Sequence, residues 1–444
     1  MPPSSYPSVV RNGPIAAPQL QVWQLVAETA FVAFLLLVFV GLTPFTPRSA
    51  DLLRQAAAAS TGQGDLLRQI SYLAAFGVIA LCALRKHGIE VLALVPFLLT
   101  LLLGWCLLSA SWADQGGVTF RRAGLEVIIV VTAMWGVHTV GLERSLVLFR
   151  AVAIGILIVN WISIPLTDRA IHQPGEIDPS IVGAWRGLYF HKNIAGAVSA
   201  ISAMLFLFFA IDRRSALDWF LCLASLAFLV MTKSKSSMGL LVPALLAAVV
   251  YRSFWQRGLD RAIVMVSAVL LALVVATVAL LDWSTIARVI SDPTQFTGRT
   301  EVWAAEAAYI FDHPIFGAGY GSFNDTGAVS PLHNYVNGDW VEAISHGHNG
   351  YLQMTVEIGF VGFVLAILAL VIQPATAFWR RDAVPQTLKA FLLALFVFLV
   401  LHNFLESDFL ESDGPAWVAF LIMLAWLRQA RALLQDDREQ LSWA

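Results

Sequence analysis

The stretch NIAGAVSAISAMLFLFFAI runs from Asn193 to Ile211 without one charged side chain, and segments like it recur along the chain. An α-helix rises about 1.5 Å per residue, so about twenty such residues cross the ~30 Å hydrocarbon core of a bilayer. Hydropathy places about twelve spans, near 23–43, 68–84, 90–109, 122–139, 147–165, 193–211, 216–232, 237–251, 260–281, 349–372, 386–403 and 415–430. Of the 444 residues 58% are hydrophobic and 13% charged, against about 25% charged in soluble domains. A soluble two-domain chain is therefore excluded. The expected fold is an all-α polytopic membrane protein, one integral domain over residues 1–444.

Cys82, Cys106 and Cys222 lie inside apolar runs and read as small core residues, with no disulfide framework. The net charge of −2 gives no reason to expect a nucleic-acid partner. The first apolar run follows a Pro-rich start with one arginine and no small-residue cleavage site, and reads as a retained span.

An even number of spans puts both termini on one side. Loops facing the cytoplasm carry the excess of Lys and Arg. Termini inside places sixteen of the 28 cations in inner loops and twelve outside. The outer ones abut span ends: Arg121 and Arg122 before the fourth span, Lys192 before the sixth, Lys233 and Lys235 between the seventh and eighth. Cations there suit an anionic headgroup; the plainer reading is snorkelling to lipid phosphates.

Two outer loops are long, 166–192 and 282–348, and long loops tend to carry function. In the second, RTEVWAAEAAYIFD (299–312) reads as a short helix at the membrane surface, with Thr300 as cap and Glu301 in its first turn. HPIFGAGYGSF (313–323) contains a GxGxG, but no strand precedes it, so a sharp loop folding back toward the membrane is expected in place of a nucleotide site.

HGHNG (346–350) opens the tenth span. Histidine is the usual general base near neutral pH, which makes His348, beside Asn349, the candidate; a histidine merely satisfied at a helix start is the structural alternative. His346 and His348 form an H-x-H pair, yet without cysteine support no metal is expected. Arg186 in WRGLYFHKN and Arg299 in GRTEVW are the best anion ligands, because a guanidinium fork matches phosphate oxygens. If Arg299 were structural, Glu301 or Glu306 would be its partner. Glu406 and Glu411, in FLESDFLESDG, read as a solvated acidic turn or, alternatively, as groups that orient His348.

The ordered set WRGLYFHKNIAG, TKSKSSMG, GRTEVW, HPIFGAGYGSF and HGHNGYLQMTVEIGFVG resembles the O-antigen ligase and Wzy-type polymerase superfamily, over residues 180–430. WRGLYFHKN and the overall layout are most similar to exopolysaccharide polymerases of the ExoQ kind. The resemblance implies a glycosyltransferase of the bacterial inner membrane, with both termini cytoplasmic and the site periplasmic. It would pass glycan from undecaprenyl diphosphate to an acceptor hydroxyl. Arg186 and Arg299 fall on arginines thought to hold the diphosphate, His348 on the proposed catalytic histidine, and Lys192 on a position often basic; His346, Glu406, Lys233 and Lys235 receive no family role. In the scheme that fits, cations stabilise the leaving diphosphate without a metal or other cofactor, and His348 deprotonates the acceptor, inverting the anomeric carbon. The acceptor is a second lipid-linked repeat unit in a polymerase and a lipid A core sugar in a ligase. A chain-length regulator is the partner that polymerases of this type imply. The rival from another class is a transporter of lipid-linked sugars; against it, the polar residues cluster in outer loops and the two halves of the chain do not repeat.

Overall fold

A computed structural model describes residues 18–47, 64–176, 179–254, 299–324, 326, 330–336, 347–379 and 384–442. They form α1 (Pro18–Phe39), α2 (Leu66–His87), α3 (Phe97–Leu108), α4 (Gly116–Val140), α5 (Leu142–Leu166), α6 (Lys192–Asp212), α7 (Ala216–Met231), α8 (Lys235–Phe254), α9 (Arg299–Asp312), α10 (Gly350–Ala366), α11 (Gln373–Trp379), α12 (Gln386–His402) and α13 (Pro415–Ser442). A widened turn, Ile367–Ile372, joins α10 to α11. Among the described residues the sole strand-like pairing is a bridge between Ile171 and Trp185. Seven helical stretches among them are long and apolar enough to cross a membrane, and α3, α7 and α12 are shorter apolar helices. Every span expected from hydropathy falls on a helix except the ninth, 260–281, which lies outside the described residues.

The outward faces are apolar, as lipid contact requires: Leu217, Phe220, Leu223 and Val230 along α7 are all exposed. The inner half of α13 differs. Every residue from Ala416 to Leu427 is buried, because this half of the helix is hydrophobic all round and fills the centre of the bundle against α4, α6 and α12. Its two indoles still find acceptors: Trp417 Nε1 donates to Glu126 (2.7 Å) and Trp426 Nε1 to Ser145 (2.9 Å).

The helix that carries His348 at its head is broken inside the span. Gly359 takes φ 65° and ψ −178°, which frees peptide groups that hydrocarbon cannot satisfy. The HPIFGAGYG segment satisfies them. Ala318 N–H donates to Val356 O and Gly319 N–H to Glu357 O (both 2.8 Å), while Phe360 N–H donates to Pro314 O (2.8 Å). Trp105 Nε1 takes the carbonyl of Ile358 (2.9 Å). A Cβ on Gly359 would meet Ile315 O at 2.0 Å, so the close approach demands glycine. The fold-back expected of this loop is therefore present, and α9 lies over α10 with Val302, Ala305, Glu306 and Tyr309 buried.

Candidate active site

Four separated motifs meet on one carboxylate. Glu406 lies in the loop between α12 and α13 and is 6% exposed. Its Oε1 accepts from Arg299 Nη2 (2.8 Å), at the head of α9, and from Asn193 Nδ2 (2.7 Å), in the first turn of α6. Its Oε2 lies 3.0 Å from His348 Nδ1. Ser236 Oγ, in the first turn of α8, stands 3.5 Å from Oε1. The Arg299 fork also donates from Nη1 to the Leu405 carbonyl. Burial opposes the charge on Glu406, but the hydrogen bond to His348 and the charge of Arg299 outweigh it and hold the carboxyl well below its usual range. Glu406 is thus an anion held in place by the groups it positions.

Local backbone chemistry aims these side chains. His348 sits at φ 52°, and Asn349 then caps α10 by accepting from the amides of Tyr351 and Leu352 (3.1 Å each). The Gly350 amide donates to the carbonyls of Asn403 (2.9 Å) and Glu406 (3.1 Å), so the acidic loop is tied to the head of α10. A Cβ at Gly350 would strike Asn403 Oδ1 at 2.0 Å. Trp303 Nε1 donates to Gly347 O (2.8 Å), which fixes the His348 turn to α9. Behind Gly347, burial and then the charge of Glu357 push the Glu306 carboxyl well above its usual range. The expected partners of Arg299, Glu301 and Glu306, are accordingly replaced by Glu406, more than a hundred residues away in sequence.

The cations divide into two groups. Lys192, Lys233 and Lys235 share the end of the bundle that holds Glu406: Lys192 Nζ donates to Lys233 O (3.1 Å), and Lys235 opens α8 one residue before Ser236. Arg186 is not brought to Glu406 by any direct bond. It is 2% exposed, and its guanidinium donates to the backbone carbonyls of Tyr189 and Phe190 (3.2 Å each) and Thr46 (3.0 Å). Arg122 holds the GAGYG loop through the carbonyls of Gly321 and Asn324. Arg121 lines a cavity beside it. His346 lies outside the described residues.

That cavity, of about 800 Å³, opens between α1, α2, α4, α6 and α10 and has Glu406 and Gln353 in its wall. Gln353 accepts from the Gly347 amide (3.2 Å), which ties this part of the cavity wall to the His348 turn. Sequence reasoning missed Asn193, although it is the last residue of WRGLYFHKN. It also missed the buried pair His172–Glu176 (2.7 Å), whose His172 Nε2 accepts from the Lys192 amide (3.1 Å) at the start of α6. Their signal was the polar character of a loop that leads straight into an apolar span.

Residues 220–367 match the family model Wzy_C, described as O-antigen ligase. The match takes in Lys233, Lys235, Arg299 and His348, and it supports the O-antigen ligase and Wzy superfamily and a membrane role in glycan polymerisation or ligation. No curated protein matches the chain.

Proposed function

From an O-antigen ligase domain across residues 220–367, we propose that this chain is an inverting, metal-independent glycosyltransferase of the bacterial inner membrane. It transfers glycan from undecaprenyl diphosphate to an acceptor sugar hydroxyl on the periplasmic side. The convergence of His348, Arg299 and Asn193 on Glu406 is the observation that carries this reading.

The chemistry follows from the arrangement. With Nδ1 engaged by Glu406, His348 acts through Nε2, taking the proton of the acceptor hydroxyl as its oxygen attacks the anomeric carbon. The bond from that carbon to the diphosphate breaks on the opposite face, and undecaprenyl diphosphate leaves with the electron pair. Arg299, Lys192, Lys233 and Lys235 stabilise the leaving charge in place of a divalent ion. A guanidinium carries five N–H groups, more than the contacts of Arg299 to Leu405 and Glu406 use. Arg186 contributes by shaping the turn before α6.

The acceptor is a second lipid-linked repeat unit, as the ExoQ-like WRGLYFHKN motif suggests. The family description favours a second reading, transfer to a lipid A core sugar. Purified protein given only a lipid-linked repeat unit decides: a ladder of lengthened products is expected, and His348→Ala should abolish it while the donor still binds. Products only when lipid A core is supplied would make the chain a ligase. A normal ladder from His348→Ala would remove the base from the scheme.

A further inference from the structure

The head of α6 is capped by two imidazoles. His191 stands at the cap position in extended conformation, and its Nδ1 accepts from the Asn193 amide (3.2 Å). His172 Nε2 accepts from the neighbouring Lys192 amide (3.1 Å). Serine, threonine, aspartate and asparagine are the usual caps, and none of them changes charge near neutral pH. An imidazole accepts only while one ring nitrogen lacks a proton, and a backbone N–H can only donate. Both rings are therefore neutral in this arrangement, with the proton on Nδ1 of His172 and on Nε2 of His191. The Nδ1–H of His172 donates to Glu176 Oε2 (2.7 Å). The loop before α6 doubles back to hold His172: its amide donates to Ala184 O, and the Gly183 amide donates to its carbonyl (2.9 Å each). His172 is buried and His191 half-buried, with the rings 5.4 Å apart.

A proton added to either ring turns an acceptor into a donor aimed at another donor. It also sets a positive charge at the positive end of the α6 dipole, beside the second ring. Among the surrounding charges Glu176 favours that proton. Against it stand Arg186, which acts on Glu176 and lies close to Arg169, and the Lys192 ammonium on Lys233 O. Lys233 faces the same loop, since a Cβ on Gly183 would stand 3.6 Å from its Nζ. Asp168 and Arg169 lie on the turn before His172. The caps bear on the candidate site through Asn193. The residue whose amide depends on His191 also donates from Nδ2 to Glu406 (2.7 Å).

We propose that His172 and His191 are positioning residues that hold Lys192 and Asn193 on the site only while neutral, so that acidification outside the membrane frays the first turn of α6, frees Glu406 from Asn193 and lowers transfer. The effect on transfer and the outer location rest on the proposed function; the acid-sensitive cap does not.

The test uses the full chain in detergent and compares wild type with the double variant His172→Gln, His191→Asn, whose side-chain carbonyls can accept from the same amides without titrating. Hydrogen exchange at the head of α6, corrected for the intrinsic effect of pH, comes first. Protection of the Lys192 and Asn193 amides in wild type should fall about tenfold between about pH 7.5 and about pH 5.5, one unit below the ordinary imidazole value of about 6.5. The double variant should keep its protection. The pH profile of glycan extension from a lipid-linked donor comes second. In wild type the logarithm of the rate should fall with a limiting slope of about two to three, because His348 and the caps all take up protons. In the double variant His348 is the one left to titrate, and the slope should be about one. His191→Ala, which removes a cap at every pH, should slow extension about fivefold at about pH 7.5, and His191→Asn should restore it. Unchanged protection in wild type, equal loss of it in the double variant, or identical slopes would overturn the proposal. If the double variant does not fold, His191→Asn decides, with a slope about one lower than wild type. The expected exchange pattern with no extension at any pH would sink the proposed reaction and leave the acid-sensitive cap standing.

Discussion

Glu406→Gln isolates what one negative charge does among the four motifs that meet on it. The amide keeps the shape but cannot counter both Arg299 and a protonated His348. We expect kcat for glycan extension to fall about 10²-fold, within the usual contribution of a positioned base, in an assay with lipid-linked donor. Stability carries a second signature. The folded carboxyl titrates below its ordinary 4.5, so as pH falls beneath about 4.5 the unfolded chain takes up a proton that the folded chain refuses. Stability from this group is complete above that pH and erodes below it. Thermal melts of wild type should therefore drop on acidification, and Glu406→Gln should show a flatter acid limb; parallel curves would refute the role. At this scale the sequence was partly legible. Arg299 and His348 stand out because cations and imidazoles are conspicuous at span ends. Glu406 reads as a solvated acid or as a group that orients His348, because nothing in LESD says that a loop ends buried against four other motifs. Arg186 was as conspicuous as Arg299, yet its guanidinium holds backbone carbonyls, a use that residue type alone does not distinguish.

Among the elements, α10 departs furthest from an ordinary span. Gly359→Ala places a side chain at φ 65° and within 2.0 Å of Ile315 O. The conformation alone, in a region essentially reserved for glycine, costs about 1–3 kcal/mol, and the collision adds to it. Yield of folded protein and its melting temperature should fall sharply. Gly104→Ala in α3, where an added Cβ meets nothing within 4 Å, should be neutral or stabilising; equal loss in both would refute the assignment. Hydropathy found this helix and the glycines announced a turn nearby. Neither signal disclosed that the turn completes the hydrogen bonding of the break, because that pairing joins Ala318 and Gly319 to Val356 and Glu357 across a long stretch of chain.

For the whole molecule, orientation is the expectation most open to direct measurement. Lys235 and Arg213 lie at opposite ends of the α6–α7–α8 hairpins and both are exposed. The native cysteines Cys82, Cys106 and Cys222 are buried, so they give little background to thiol labelling. An impermeant maleimide should modify Lys235→Cys from the periplasm of intact cells, and Arg213→Cys only after the inner membrane is opened; the reverse pattern would turn the proposed site to the cytoplasm. Bundle architecture was readable because lipid imposes a simple rule on every outward face. The interior was less so, since the Ala416–Leu427 half of α13 is buried on all sides and its sequence is as apolar as a lipid-facing helix. The peptides of residues 314–319 serve as missing rungs of α10, so this loop cannot be exchanged between relatives by cutting at its ends. The transplantable module runs from Arg299 through Trp379, and a graft that stops at the head of α10 would leave bare carbonyls in oil.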